Sequence, residues 1–174
     1  MVINIMIVSK QTVDALYELI KQCFVENRLL DRCVSVLGVK FACNQSSGLI
    51  HKHIAHYFPN LSDKIGESTL ERYNIPVVYG ETPAGAEDYS SVAEIIHAVN
   101  QSVLDFQSMM MGVCRIALDN NDIHVYANLI ELLRNVNLVV EQTILLSDKI
   151  DLYRDNITAF DHDIKDFWIL EDYQ

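Results

Sequence analysis

Tyr73-Asn-Ile-Pro-Val-Val-Tyr-Gly-Glu-Thr-Pro-Ala-Gly85 is the one long irregular stretch in an otherwise helical sequence, and it holds two of the three prolines. At more than ten residues it is too long for a tight turn between neighbouring helices. It reads as a crossover that spans the length of a helical bundle. What flanks it decides the architecture.

On its C-terminal side, Val92, Ile95, Ile96, Val99, Val103, Phe106, Met110, Val113 and Ala117 follow the i, i+3, i+4, i+7 rhythm of an amphipathic helix over residues 90–118. The polar Asp119-Asn-Asn-Asp122 is a short turn, so the next helix returns antiparallel. That helix runs to about residue 153 through Ile123, Tyr126, Leu129, Leu133, Val136, Val140, Ile144 and Ile150. On the N-terminal side, a first long helix over 9–39 carries Val13, Leu16, Tyr17, Ile20, Phe24, Leu30, Val34 and Leu37, with Ser9 or Thr12 as its cap. After the polar break Asn44-Gln-Ser-Ser-Gly48, a second helix carries Leu49, Ile50, Ile54, Tyr57, Phe58, Leu61, Ile65 and Leu70. Pro59 lies inside it, removes one backbone hydrogen bond and predicts a kink or a bulge. The expectation is an all-α four-helix bundle with its single long crossover between helices two and three.

The 174 residues fit one domain: an apolar arm over 1–8, the bundle over 9–153 and a tail over 155–174. The tail has six acids and one base, with Phe160, Phe167, Trp168 and Leu170 predicting a short fifth helix packed on the bundle or on a neighbouring subunit. Arm and tail together offer more apolar surface than one bundle buries, so a homo-oligomer is expected. A net charge of −11 repels a phosphate backbone, and no basic terminus is present to hold one, so no nucleic acid is expected. No apolar run reaches the about 18 residues of a membrane span. The N-terminus lacks the basic leader and small-residue cleavage site of a signal peptide, so the expectation is a cytoplasmic protein that does not enter membranes. Cys23, Cys33, Cys43 and Cys114 form no CxxC pair and read as buried, reduced thiols. No glycine-rich phosphate loop, Gly-x-Ser-x-Gly or HExxH pattern is present.

Three segments carry a family resemblance: Gly48-Leu-Ile-His51-Lys-His-Ile-Ala-His56-Tyr57, then Glu67-Ser-Thr-Leu-Glu71-Arg72 with Pro76, and Glu141-Gln-Thr-Ile-Leu-Leu on helix four. Over about residues 10–153 the chain resembles the ferritin-like superfamily and, within it, the Dps-like miniferritins. The resemblance implies iron oxidation by O₂ or peroxide and mineral storage in a shell, at a site shared by two subunits. It implies that one subunit gives a His near the end of helix one. The other gives a His, an acid eleven residues before the first carboxylate, and a carboxylate pair at i, i+4. Here Glu67 and Glu71 hold the pair, His56 stands eleven before Glu67, and the two His positions fall on Lys40 and Lys52, with His51 one residue out of register. A one-residue bulge beside Pro59 would bring His51 back into line.

The candidate metal residues are therefore His51, His56, Glu67 and Glu71, with iron as the cofactor or cargo. An alternative site lies in the bundle core, built on the Glu-x-x-His pair Glu94 and His97, with Glu141 and either Glu18 or Glu26 as companions. Asp161-His162-Asp163 is a weaker surface chelate, and Met109-Met110-Met111 reads as core and flank filling. Each of these groups also fits a plain surface or core role. The functions in contention are a Dps-like iron-binding protein with ferroxidase-type chemistry, a ferritin-fold structural or interaction protein that has lost its metal site, and a di-iron carboxylate enzyme.

Overall fold

The computed structural model describes residues 7–172. Most of the expected N-terminal arm, residues 1–6, lies outside that range, whereas Val8 is fully buried. The long elements are α1 (Lys10–Phe41), α2 (Asn44–Ile50), α3 (Tyr57–Thr69), α4 (Val92–Asp119), α5 (Ile123–Tyr153) and α6 (Ile157–Asp163). Among the described residues there is no strand, and no helix is long and apolar enough to cross a membrane.

Ser9 caps α1, its Oγ accepting from the Thr12 N–H. Its own N–H and hydroxyl donate to Asp122, the latter at 2.7 Å, which ties the start of α1 to the α4–α5 turn. Cys43 precedes α2 and offers no side-chain cap. Asp161 from α6 does so instead, accepting from Gln45 and Ser46 N–H at 3.3 and 2.7 Å.

Helix two is one rod in three pieces: α2, a π-helical turn over His51–Ala55, and α3. The π-turn is the bulge expected beside Pro59. His56 N–H donates five residues back to the His51 carbonyl at 3.1 Å. Pro59 has no N–H to give to Ala55, four residues before it, and its ring crowds that carbonyl. Asn27 of α1 supplies the missing bond, its side-chain NH₂ donating to the Ala55 carbonyl at 3.0 Å. The rod ends at Thr69, earlier than the apolar pattern suggests, and passes into a 3₁₀ turn over Glu71–Tyr73 closed by the left-handed Asn74.

The crossover then runs along α1, touching it about once per turn. Tyr17 Oη donates to the Pro76 carbonyl at 2.9 Å, Tyr79 meets Phe24 edge-on, and Gly80 lies against the Lys21 stem. Further on, Arg32 Nε donates to the Glu87 carbonyl at 2.9 Å, and Lys40 Nζ donates to the Tyr89 carbonyl. The contacts span residues 17 to 40 of α1, about 35 Å of helix, which an extended chain of 13 residues just covers at about 3.3 Å each. The crossover therefore delivers the chain to the far end of α1, and α4 starts antiparallel to it.

All nine inward positions expected on α4 are buried, and at mid-bundle Phe106 meets Phe58 edge-on, ring centres 4.9 Å apart. On α5 the pattern misleads at Ile123 and Ile144, which are exposed, while Val125, Val139 and Leu146 are buried in the core. The four cysteines are free and buried.

The tail forms the short helix expected of it and then returns across α5. Gln142, fully buried, clamps this return: its NH₂ donates to the Phe167 carbonyl at 3.3 Å and its Oε1 accepts from Ile169 N–H at 2.6 Å. Beyond it, Lys52 pairs with Asp172 at 2.7 Å and His53 Nδ1 lies 3.2 Å from the Glu171 carbonyl. Gln142→Leu leaves two backbone groups unpaired. It should cost about 2 kcal/mol in urea unfolding and raise amide exchange at Ile169; unchanged exchange there would show that the clamp does not hold the tail.

Candidate metal site

Asp31 of α1 and His51 and His56 of the π-turn come together on the side of the bundle formed by helices one and two. One ligand atom from each lies within 4.8 Å of the others. Residues five apart on a regular α-helix point about 140° away from each other. The extra residue of the π-turn removes that divergence, and the two imidazoles face each other with ring centres 4.1 Å apart. Asp31 Oδ1 stands 3.2 Å from His51 Nδ1, closing the triangle. Both of these atoms are shielded from solvent, and neither makes a hydrogen bond of proper geometry. With the exposed imidazole of His56 beside them, these two atoms complete a donor set of two imidazoles and a carboxylate suited to a divalent transition metal.

The two lysines that fall on the family's histidine positions are turned away. Lys40 gives its ammonium to the Tyr89 carbonyl and lies over the Phe41 ring. Lys52 is held by Asp172. Neither ammonium therefore occupies the place where a cation would be bound.

Glu67 is exposed on α3 and borders a surface cleft with Asp63, Lys64 and Asn135. Eleven residues of helix put it about 16 Å along the axis from His56. Glu71 lies beyond the helix in the 3₁₀ turn, so the i, i+4 face expected of the pair is broken by the turn at Leu70. Within one chain the two carboxylates do not reach His51 and His56.

The alternative residues do not meet in the core. Glu94 caps α4: its carboxylate accepts from Ser90 N–H and Oγ at 2.7 and 2.6 Å, bonds that hold its pKa below the ordinary carboxylate value. His97 bridges α4 to α5, with Nδ1 2.9 Å from Ser147 Oγ and Nε2 2.9 Å from Asp151 Oδ1. Glu141 is exposed, and Glu18 pairs with Lys21 on the surface. Glu26 alone enters the interior, where burial pushes its pKa up to about 7, and Phe58 and Phe106 fill the mid-bundle. Of these candidate residues one carboxylate is buried, which does not make the four-carboxylate cage of a di-iron bundle. Asp161 is committed to capping α2, and His162 pairs with its neighbour Asp163 at 2.8 Å.

Asp31 carries no signal in the sequence: it precedes His51 by twenty positions on another helix, and only the packing of Asn27 against the π-turn brings it there.

No family model and no curated relative matches the sequence. Solved structures do. An open-pore ferritin from the hyperthermophilic archaeon Archaeoglobus fulgidus superposes with a TM-score of 0.82 at 13% identity, covering 95% of this chain and 99% of that one. A humanized archaeal ferritin superposes with a TM-score of 0.86 at 11% identity, covering 96% and 99%. The chain has the ferritin-like four-helix fold.

Proposed function

We propose that this ferritin-like bundle is an iron-binding protein that assembles into a cytoplasmic homo-oligomer and oxidises Fe²⁺ with O₂ or peroxide for storage. Asp31, His51 and His56 bind the Fe²⁺, and Glu67 and Glu71 of the partner subunit complete the site. The observation that carries this reading is the convergence of two imidazoles and a carboxylate, with the ligand atoms of Asp31 and His51 shielded and without a hydrogen bond. A 2-His-1-carboxylate set leaves open positions at iron for an oxidant and further carboxylates. The fold of the ferritin neighbours and a net charge of −11, which draws cations in, support it. Exposed Val39, Val78, Tyr79 and Leu152 supply apolar surface for assembly.

Light scattering together with an Fe²⁺ oxidation assay tests this reading. The wild type should be at least a dimer and oxidise Fe²⁺ faster than buffer. Glu71→Gln, which keeps size but removes an anionic ligand, should cut the rate at least about tenfold and leave the oligomer intact. Glu94→Gln and His97→Ala should leave the rate unchanged. A 19.9 kDa monomer that oxidises iron no faster than buffer would establish instead a scaffold that has lost its metal chemistry.

A further inference from the structure

We propose that a small tetrahedral oxyanion binds in the cleft between α1 and the crossover, held by Arg28 and by the metal on Asp31. This deepens the metal reading above and rests on it. The cleft has a volume of about 480 Å³ and is lined by Asn27, Arg28, Asp31, Arg32, Ser35 and Gly85. Asp31 is the shared residue: its carboxylate faces His51 and His56, and the residue also lines the cleft.

The cleft walls are cationic in an acidic chain. Thirteen bases are set against 24 acids in the whole sequence, yet two arginines and one acid line this cleft. Arg32 is fixed by the crossover, through Nε to the Glu87 carbonyl and through a guanidinium nitrogen 3.6 Å from Asp88 Oδ1. Arg28 has no hydrogen bond or ion pair among the described residues, although its stem is tightly held. A Cβ on Gly85 would come within 2.8 Å of the Arg28 carbonyl oxygen and 3.0 Å of its Cγ, so only glycine lets the crossover lie this close. The result is a positioned stem with an unengaged guanidinium, beside the exposed Ser35.

Electrostatics determines what fits. A dication bound to Asp31 and the Arg28 guanidinium of the same cleft repel each other. An oxyanion between them removes the repulsion: one oxygen takes an open position on the metal, and others accept the parallel N–H bonds of the guanidinium fork. Two imidazoles and one carboxylate leave such positions free on an octahedral metal. The one acid lining the cleft is Asp31 itself; Asp88, on the crossover outside it, engages Arg32.

Co²⁺ serves as a metal probe that O₂ does not readily oxidise in this ligand set and whose visible spectrum reports its ligands; inorganic phosphate is the anion. Wild type and Arg28→Gln should bind Co²⁺ alike, within threefold. Phosphate added to the Co²⁺-loaded wild type should shift the visible band and saturate, and Arg28→Gln should need at least ten times more phosphate for the same shift. Equal phosphate affinity in the two proteins, or no spectral change in the wild type despite bound Co²⁺, would overturn this proposal and leave the metal site standing. Failure of the wild type to bind Co²⁺ or Fe²⁺ would overturn the metal reading and the anion bridge with it.

Discussion

His51→Ala should lower the affinity for Fe²⁺ by about 100-fold, since loss of groups that merely orient a ligand costs 10–100-fold and loss of the ligand itself costs no less. The variant should fold as the wild type does. His51 is half exposed, its close neighbours are Asp31 and His56, and its removal deletes no core contact. The turn geometry does not depend on its side chain either, because the π-turn is set by Pro59 and by the Asn27 bond to the Ala55 carbonyl. Asp31→Asn should show a comparable loss, by removing the one anionic donor from the cluster. Anaerobic calorimetry with Fe²⁺ measures both, and a thermal melt of each apo variant confirms the fold. Wild-type affinity retained in His51→Ala would show that the cluster is a surface ion pair and that iron, if bound, sits elsewhere. The two lysines do not complicate the reading. Had Lys40 and Lys52 pointed into the site, their charge would have opposed Fe²⁺; instead Lys40 is held by the Tyr89 carbonyl and Lys52 by Asp172.

The architecture was readable because it rests on local, repeating signals. A stretch with two prolines between long amphipathic patterns permits one crossover, and helix polarity then follows from chain length alone. The apolar rhythm of α4 is clean and predicted its buried face. That of α5 is not, because apolar side chains occur all round the helix; spacing puts Ile123 and Ile144 inward, and both are exposed. The site is a different kind of problem. His51 and His56 were visible as residues, and Pro59 announced a disturbance, but their common face depends on one inserted residue whose position the sequence does not mark. Asp31 joins through packing between two helices, which no local pattern encodes. Glu67 and Glu71 were read as one helical face, and the backbone at Leu70, φ −120°, ends the helix between them.

Glu26→Gln should stabilise the protein at alkaline pH and remove much of its pH dependence between 5 and 8. Glu26 is 3% exposed on α1, within an apolar interior. Gln22 donates to its Oε1 at 2.8 Å, while Oε2 has no hydrogen-bond partner of proper geometry. Burial raises its pKa from the ordinary 4.5 to about 7, against the lowering effect of Gln22 and Ser102. A carboxyl whose pKa is higher in the folded state binds its proton more tightly there than in the unfolded chain. Its stabilising contribution is complete below about pH 4.5 and is lost as the pH rises through about 7. The gap between those values corresponds to about 3 kcal/mol of stability lost by pH 8 or above, when the buried group must ionise. Glutamine stays neutral, keeps an oxygen for Gln22 and has nearly the same volume, so it escapes that loss. Urea unfolding at pH 5 and pH 8.5 should therefore show a fall of about 3 kcal/mol in the wild type that is largely absent in Glu26→Gln, with the variant the more stable protein at pH 8.5. Parallel pH profiles in the two proteins would refute the assignment and place the titrating group elsewhere. The same measurement bears on the fold's chemistry, because a buried carboxyl that spends neutral pH partly protonated is a poor cation ligand. The proposed metal binding therefore rests on the Asp31, His51 and His56 cluster on the bundle's flank.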